Sequence, residues 1–256
     1  MQTVKNKEID YDSAELLRLR PLLYSFLGNS LLRPLPKEVS AEVLNPRFWD
    51  DFPLRPVNQQ MHKALSSLIS CTQQLQEVPL EDAQSAVSVE YTRLFIGPGA
   101  PLAPPWESLY RDGAVTLCGQ PTLEMRKLFS QKGLRVDNPN RQFEDHLGLE
   151  LLFLASRAEN LLAESTINEQ TAELQESYRT HALIEQQEVA EQLGFIRNHP
   201  LWWIEALQGK AAAAQSVGFY PALIELIWGI LLWDVALLNE CLDYKITPAA
   251  ISSSGC

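Results

Sequence analysis

His146 and Glu150 stand four residues apart, with Glu144 and Asp145 immediately ahead of them. On a helix that spacing puts the imidazole and the Glu150 carboxylate on one face, where they could exchange a proton or share a cation. A metal site needs more protein ligands than this pair supplies. A two-metal carboxylate site in a helical bundle needs paired Glu-x-x-His motifs, and the sequence has none. The only histidines are His62, His146, His181 and His199, in four different settings. A metal-dependent hydrolase using Asp145, His146 and Glu150 therefore starts short of ligands. In the plainer reading His146 is satisfied by Glu150 or a backbone carbonyl. Asp145 and Glu144 then sit in the first turn of a helix, where carboxylates interact well with its dipole.

Other enzyme signatures fail as well. There is no Gly-x-Ser-x-Gly elbow, Walker loop or Gly-x-Gly-x-x-Gly fingerprint. Gly97-Pro98-Gly99 is a turn whose proline removes a needed donor, which makes a poor phosphate cradle. Cys71, Cys118, Cys241 and Cys256 are far apart and form no Cys-x-x-Cys, as expected of reduced thiols. The expectation is a protein with no catalytic residues, no metal and no cofactor.

The elements that hold these residues read as helices, and the fold class as all-α. Apolar residues recur at helical spacing along most of the chain, and the best alternating run, Val115 to Cys118, is short. Expected helices cover Ala14–Leu31 (capped by Asp12 or Ser13, with a kink at Pro21), Lys37–Leu44, Val57–Gln76 and Leu80–Phe95. Pro46–Pro56 reads as a loop around Trp49, and Trp106–Arg111 as a helical turn or two. Gln120–Lys132, stopped by Gly133, and Thr171–Arg197 follow the same pattern. Leu201–Leu207 starts after Pro200, Lys210–Gln215 is Ala-rich, and an apolar helix begins after Gly218. Asn140–Leu162 carries one stripe through Phe143, Leu147, Leu151, Leu154, Ala158 and Leu161, and a second through His146, Leu149 and Phe153. A helix apolar on two faces is central to its bundle. Four of the chain's 16 prolines fall between Pro98 and Pro105, so a stiff loop stands between central helices. The expected organisation is one helical domain over 1–245 and a loose tail over 246–256.

Composition narrows the partners. The chain has 256 residues, 46% of them hydrophobic, and a net charge of −11. That acidity argues against nucleic acid or an anionic membrane as the main partner. Eleven acids against Arg141, Arg157 and Arg179 lie between residues 141 and 195, a solvated face compatible with a basic partner. The first twenty residues lack the apolar core of a signal peptide. Phe219–Leu242 contains Glu225 and Asp234 and no flanking basic cluster, so it reads as a buried helix rather than a stable membrane insertion.

Three blocks together resemble one family. They are Glu90-Tyr91-Thr92-Arg93-Leu94-Phe95 with Gly97-Pro98; Ala103-Pro104-Pro105-Trp106-Glu107-Ser108-Leu109-Tyr110, continuing to Gly119-Gln120-Pro121-Thr122; and Glu144-Asp145-His146-Leu147-Gly148-Leu149-Glu150-Leu151. In order and separation these resemble the TorD/DmsD/NarJ family of redox-enzyme maturation chaperones, most of all its TorD/DmsD branch. The chain departs from the family in having Phe143 where a proline is usual, and extra sequence around Gly209–Gly218 and at both ends. The resemblance implies a cytoplasmic, non-enzymatic chaperone. Its partner would be the twin-arginine signal peptide or the apo catalytic subunit of a molybdenum-cofactor enzyme, and export would wait for cofactor insertion. An assembly chaperone for a non-exported client, as in the NarJ branch, is the alternative. The resemblance assigns client binding to Tyr91, Leu94, Phe95, Pro104, Pro105, Trp106, Ser108, Asp145 and His146. Leu94, Phe95, Trp106 and Tyr110 would wall an apolar groove, and Glu144, Asp145 and Glu150 would take guanidinium groups. Monomer and homodimer both stay open.

Overall fold

The computed structural model describes residues 13–111, 118–136, 142–170 and 175–243. The helices are α1 (Ser13–Leu32), α2 (Lys37–Val43), α3 (Pro46–Asp50), α4 (Gln59–Leu75) and α5 (Leu80–Tyr91). After them come α6 (Gln120–Gln131), α7 (Leu147–Gln170), α8 (Gln175–Asn198), α9 (Pro200–Ala214) and α10 (Phe219–Asp243). A π turn over Thr92–Ile96 continues α5, and a 3-10 turn spans Glu107–Leu109. No strand occurs among the described residues, and the fold is all-α. The expectations at Val115–Leu117 and over 246–256 lie outside the described residues.

α10 is buried along most of its length, and its apolar side chains meet α4, α8 and α9. It is long and apolar enough to cross a membrane. Its two buried acids, Glu225 and Asp234, are paired inside the protein. Glu225 pairs with Lys63 of α4 at 2.9 Å. Asp234 accepts from Arg20 Nε at 2.6 Å and Tyr24 OH at 2.7 Å, which binds α10 to α1. Arg20 also donates to Gln192 of α8 at 2.6 Å. A buried guanidinium is tolerable only when paired and hydrogen-bonded in this way.

α1 and α7 lie against each other at close range, α1 running unbroken through Pro21. A Cβ added to Gly28 or to Gly148 would come within 2.8 Å of the other's carbonyl oxygen, so only glycine permits this approach. Both stripes of α7 are used. Leu147, Leu151, Leu154, Ala158 and Leu161 are buried, as are Leu149 and Phe153.

Leu201–Leu207 and Lys210–Gln215 prove to be one helix, α9, and α7 runs past Leu162 to Gln170. Two further boundaries differ from expectation for local reasons. The expected loop around Trp49 contains α3. Asn45 caps it by accepting from the Arg47 amide at 3.1 Å, Pro46 takes the first helical position, and Trp49 donates its indole N–H to Val43 O at 2.7 Å. α7 begins at Leu147, not Asn140, so Glu144 and Asp145 precede the helix instead of occupying its first turn. The cause is the polar company of those residues, described next.

Candidate functional site

The site is built from the Pro-rich loop and the segment that leads into α7. After the π turn, Gly97 donates to Thr92 O at 2.7 Å and adopts φ +95°. A side chain there would be both strained and in collision, since a Cβ would lie 2.5 Å from Gly99 O. The chain then folds back, and the Ala103 amide donates to Leu94 O at 2.8 Å. Pro104 and Pro105 are buried beneath it. The Leu147 amide donates to Pro105 O and the Glu107 amide to Asp145 O, both at 2.9 Å, with an antiparallel bridge between Trp106 and His146.

Asp145 fastens this junction. Its carboxylate accepts from the Ser108 amide at 2.8 Å and from Thr122 Oγ1 at 2.7 Å, and the residue is fully buried. One side chain thus joins the 3-10 turn, the first turn of α6 and the entry to α7. His146 caps α7, its Nδ1 accepting from the Gly148 amide at 2.9 Å. Burial pushes its pKa down to about 3, so the ring is neutral and its proton sits on Nε2. The imidazole stands edge-on to Trp106, ring centres 5.6 Å apart.

Behind the loop lies a buried layer of acids. Glu107 is fully buried and takes Arg111 Nε at 2.7 Å and His199 Nδ1 at 2.9 Å. Glu150 is fully buried too, and neither of its oxygens has a hydrogen-bond partner, nor do the neighbouring Trp203 Nε1 and Ser108 Oγ. Burial, reinforced by the charges of Glu107 and Asp145, raises its pKa well above the ordinary carboxylate range and so favours the protonated form. Among the described residues no group of three or more His, Cys, Asp or Glu could hold a metal ion.

On the outer side of the loop is a cleft of about 550 Å³, bounded by the end of α1, the π turn and the loop. Tyr91, Phe95, Ile96, Trp106 and Leu109 give it apolar walls, and Arg33 is the charged residue among its lining. Tyr91 and Phe95 are held edge-to-face at 5.1 Å, and the Tyr91 hydroxyl donates to Leu31 O at 3.0 Å.

Of the expected site residues, Tyr91, Phe95 and Trp106 line this cleft. Leu94, Pro104, Pro105 and Ser108 are buried and absent from its lining. Tyr110 is absent from the cleft lining and packs against Trp203, ring centres 5.0 Å apart and planes tilted by 33°. Asp145, His146 and Glu150 are closed off in the interior. Glu144 is at the surface, where Arg126 grips it through two bonds of 2.8 and 2.9 Å and lowers its pKa.

Three residues escaped the reading of the sequence as site components. Glu107 was available from its spacing of four to Arg111. Thr122 had no local signal. Glu90 caps α10, accepting from the Phe219 and Tyr220 amides at 3.2 and 2.8 Å, and only the tertiary fold brings those amides to it.

The profile of the family described as "Nitrate reductase delta subunit" matches residues 55–207, more than half of the chain. The chain is 27% identical to the "Chaperone protein TorD" of Vibrio parahaemolyticus over 181 residues, 71% of this chain and 76% of that one. It is 27% identical over 162 residues to a "Probable Tat proofreading chaperone DmsD" of Haemophilus influenzae, 63% of this chain and 62% of that one. A solved redox enzyme maturation protein from Archaeoglobus fulgidus aligns with a TM-score of 0.36 and 20% identity, over 72% of this chain and 87% of its own.

Proposed function

Because the chain belongs to the nitrate reductase delta subunit family, we propose that it is a cytoplasmic chaperone for a molybdenum-cofactor oxidoreductase. It binds the twin-arginine signal peptide or the apo form of that enzyme, assists cofactor insertion and delays export until the client is mature. The observation that carries this reading is the apolar cleft beside the Pro-rich loop. Two of the three sequence blocks that resemble this family supply its walls.

A twin-arginine leader has a short apolar segment, and an apolar helix laid in a groove gains from burying that face. Ile96, 56% exposed at the rim, is the side chain such a segment would cover. The loop is fastened on both sides by backbone hydrogen bonds, so little order is lost on binding. Asp145 and His146 act from within, holding the cleft's wall in place, and Glu144 stands outside on Arg126.

Titrating the leader of a neighbouring molybdoenzyme gene into the protein tests the reading. Saturable binding of one leader per chain is expected, and no binding of any such leader would overturn it. The non-exported client of the NarJ branch is the second reading, favoured by the name of the matching family. In that case a client N-terminus without paired arginines binds equally well.

A further inference from the structure

A second groove lies on the opposite face of α5 from the loop cleft. Tyr91, Phe95 and Ile96 face the cleft, whereas Asp82, Ala86, Val89, Glu90 and Arg93 face the groove. The groove encloses about 510 Å³ between the end of α4, α5 and the α9–α10 turn. Three of its lining residues are exposed apolar side chains: Val78 at 45%, Val89 at 64% and Val217 at 61%. Isolated exposed valines need no explanation, but three around one depression make an unpartnered apolar surface.

The charge around it is mostly acidic. From Ala64 to Thr92 the chain contains no Lys, Arg or His, and its charged residues are Glu77, Glu81, Asp82 and Glu90. Asp82 lines the groove and is exposed, as are Glu77, next in sequence to the lining Val78, and Glu81, next to Asp82. Arg93 also lines the groove, bonded to the neutral Gln215 Oε1 and Ala214 O, and its charge offsets that of Glu90 beside it, which leaves Glu77, Glu81 and Asp82 as the acids without a basic neighbour in the lining. The loop cleft is the reverse, with Arg33 as its charged lining residue. An arginine pair is therefore repelled from the cleft and attracted to the groove.

We propose that one client leader straddles α5, with its apolar segment in the loop cleft and its two arginines in the α4–α5 groove beside Glu77, Glu81 and Asp82. This rests on the function proposed above and names where the specificity for paired arginines resides. The path is short: about five extended residues at about 3.4 Å each pass round half of a helix about 11 Å across. The valines cover the aliphatic stems of the arginines while the carboxylates take the guanidinium ends.

A double-mutant cycle tests it. The leader and a copy with both arginines changed to glutamine are titrated into the wild type and into Glu77→Gln/Glu81→Gln/Asp82→Asn, whose exposed positions leave the fold alone. On the wild type, loss of the arginines is expected to weaken binding about tenfold, the sum of several partly exposed ion pairs. On the triple variant the two peptides are expected to bind within about twofold of each other. Glu159→Gln/Glu240→Gln/Asp243→Asn, exposed on α7 and at the end of α10 away from the groove, removes the same charge elsewhere and is expected to keep the tenfold difference. The inference is overturned, with the chaperone reading intact, if the arginine effect is the same on the wild type and the groove variant. It is also overturned if the remote variant abolishes the effect as fully as the groove variant. If the wild type binds neither peptide, both readings fall.

Discussion

Asp145 is the side chain on which the loop depends, because its two oxygens take the Ser108 amide and the Thr122 hydroxyl in the interior. Asp145→Ala leaves the Ser108 amide and the Thr122 hydroxyl unpaired in the interior. The expected cost is about 3 kcal/mol, read as a lower urea midpoint. Thr122→Val added to Asp145→Ala is expected to cost far less than it does alone, since the two share one bond. Glu150 gives a pH-dependent outcome. Its pKa is raised on folding, so the stability it contributes is full below the ordinary value of 4.5 and is lost as pH rises toward the folded value. Glu150→Gln is therefore expected to raise the melting temperature relative to wild type by more at pH 8 than at pH 5. His146 works in the opposite sense. Its pKa falls from 6.5 to about 3 on folding, so stability is lost as pH falls through that interval and the unfolded chain takes up the proton. The Asp145–His146 pair stands out in the sequence, yet its partners do not. Ser108, Thr122 and Gly148 reach these side chains through turns whose course no periodicity encodes.

Two devices matter at the level of elements. The first is the contact of α1 with α7 at Gly28 and Gly148. Gly148→Ala must push the helices apart, at a cost of about 1–3 kcal/mol. Gly194→Ala, in open space within α8, is expected to stabilise by about 0.5–1 kcal/mol through helix propensity. Thermal unfolding of the two variants should bracket the wild type; two shifts of the same sign would contradict the packing argument. The second device is the π turn that ends α5, which gives the chain the five-residue closure from Gly97 to Thr92 before the loop begins. The spans of α4, α5, α6 and α10 follow their apolar periodicity, and were readable for that reason. α3 was missed although Asn45-Pro46 is a helix-start signal, because five residues are too few to show a period. The entry to α7 was misplaced because apolar spacing continues through Phe143 while the backbone there is diverted to the loop.

At the scale of the molecule, α5 divides two surfaces of unlike character, an apolar cleft and an acid-rimmed groove, and α10 supports both from beneath. Glu90 links them. Its carboxylate caps α10 behind the groove, while Tyr91, the next residue, lines the cleft against Tyr220. The all-α class and the family were both readable, since the three blocks lie close in sequence. The groove was not, because its walls come from α4, α5 and the α9–α10 turn, and residues so far apart are brought together only by the core. The claim on which the account rests is that a client leader docks in the cleft beside the loop. Calorimetric titration of the twin-arginine leader into the wild type and into Ile96→Asn tests it most directly. Ile96 is at the rim, so the substitution adds polarity there without disturbing the core. The account predicts saturable binding to the wild type and about tenfold weaker binding to Ile96→Asn at an unchanged melting temperature. Equal affinity for both proteins would contradict it.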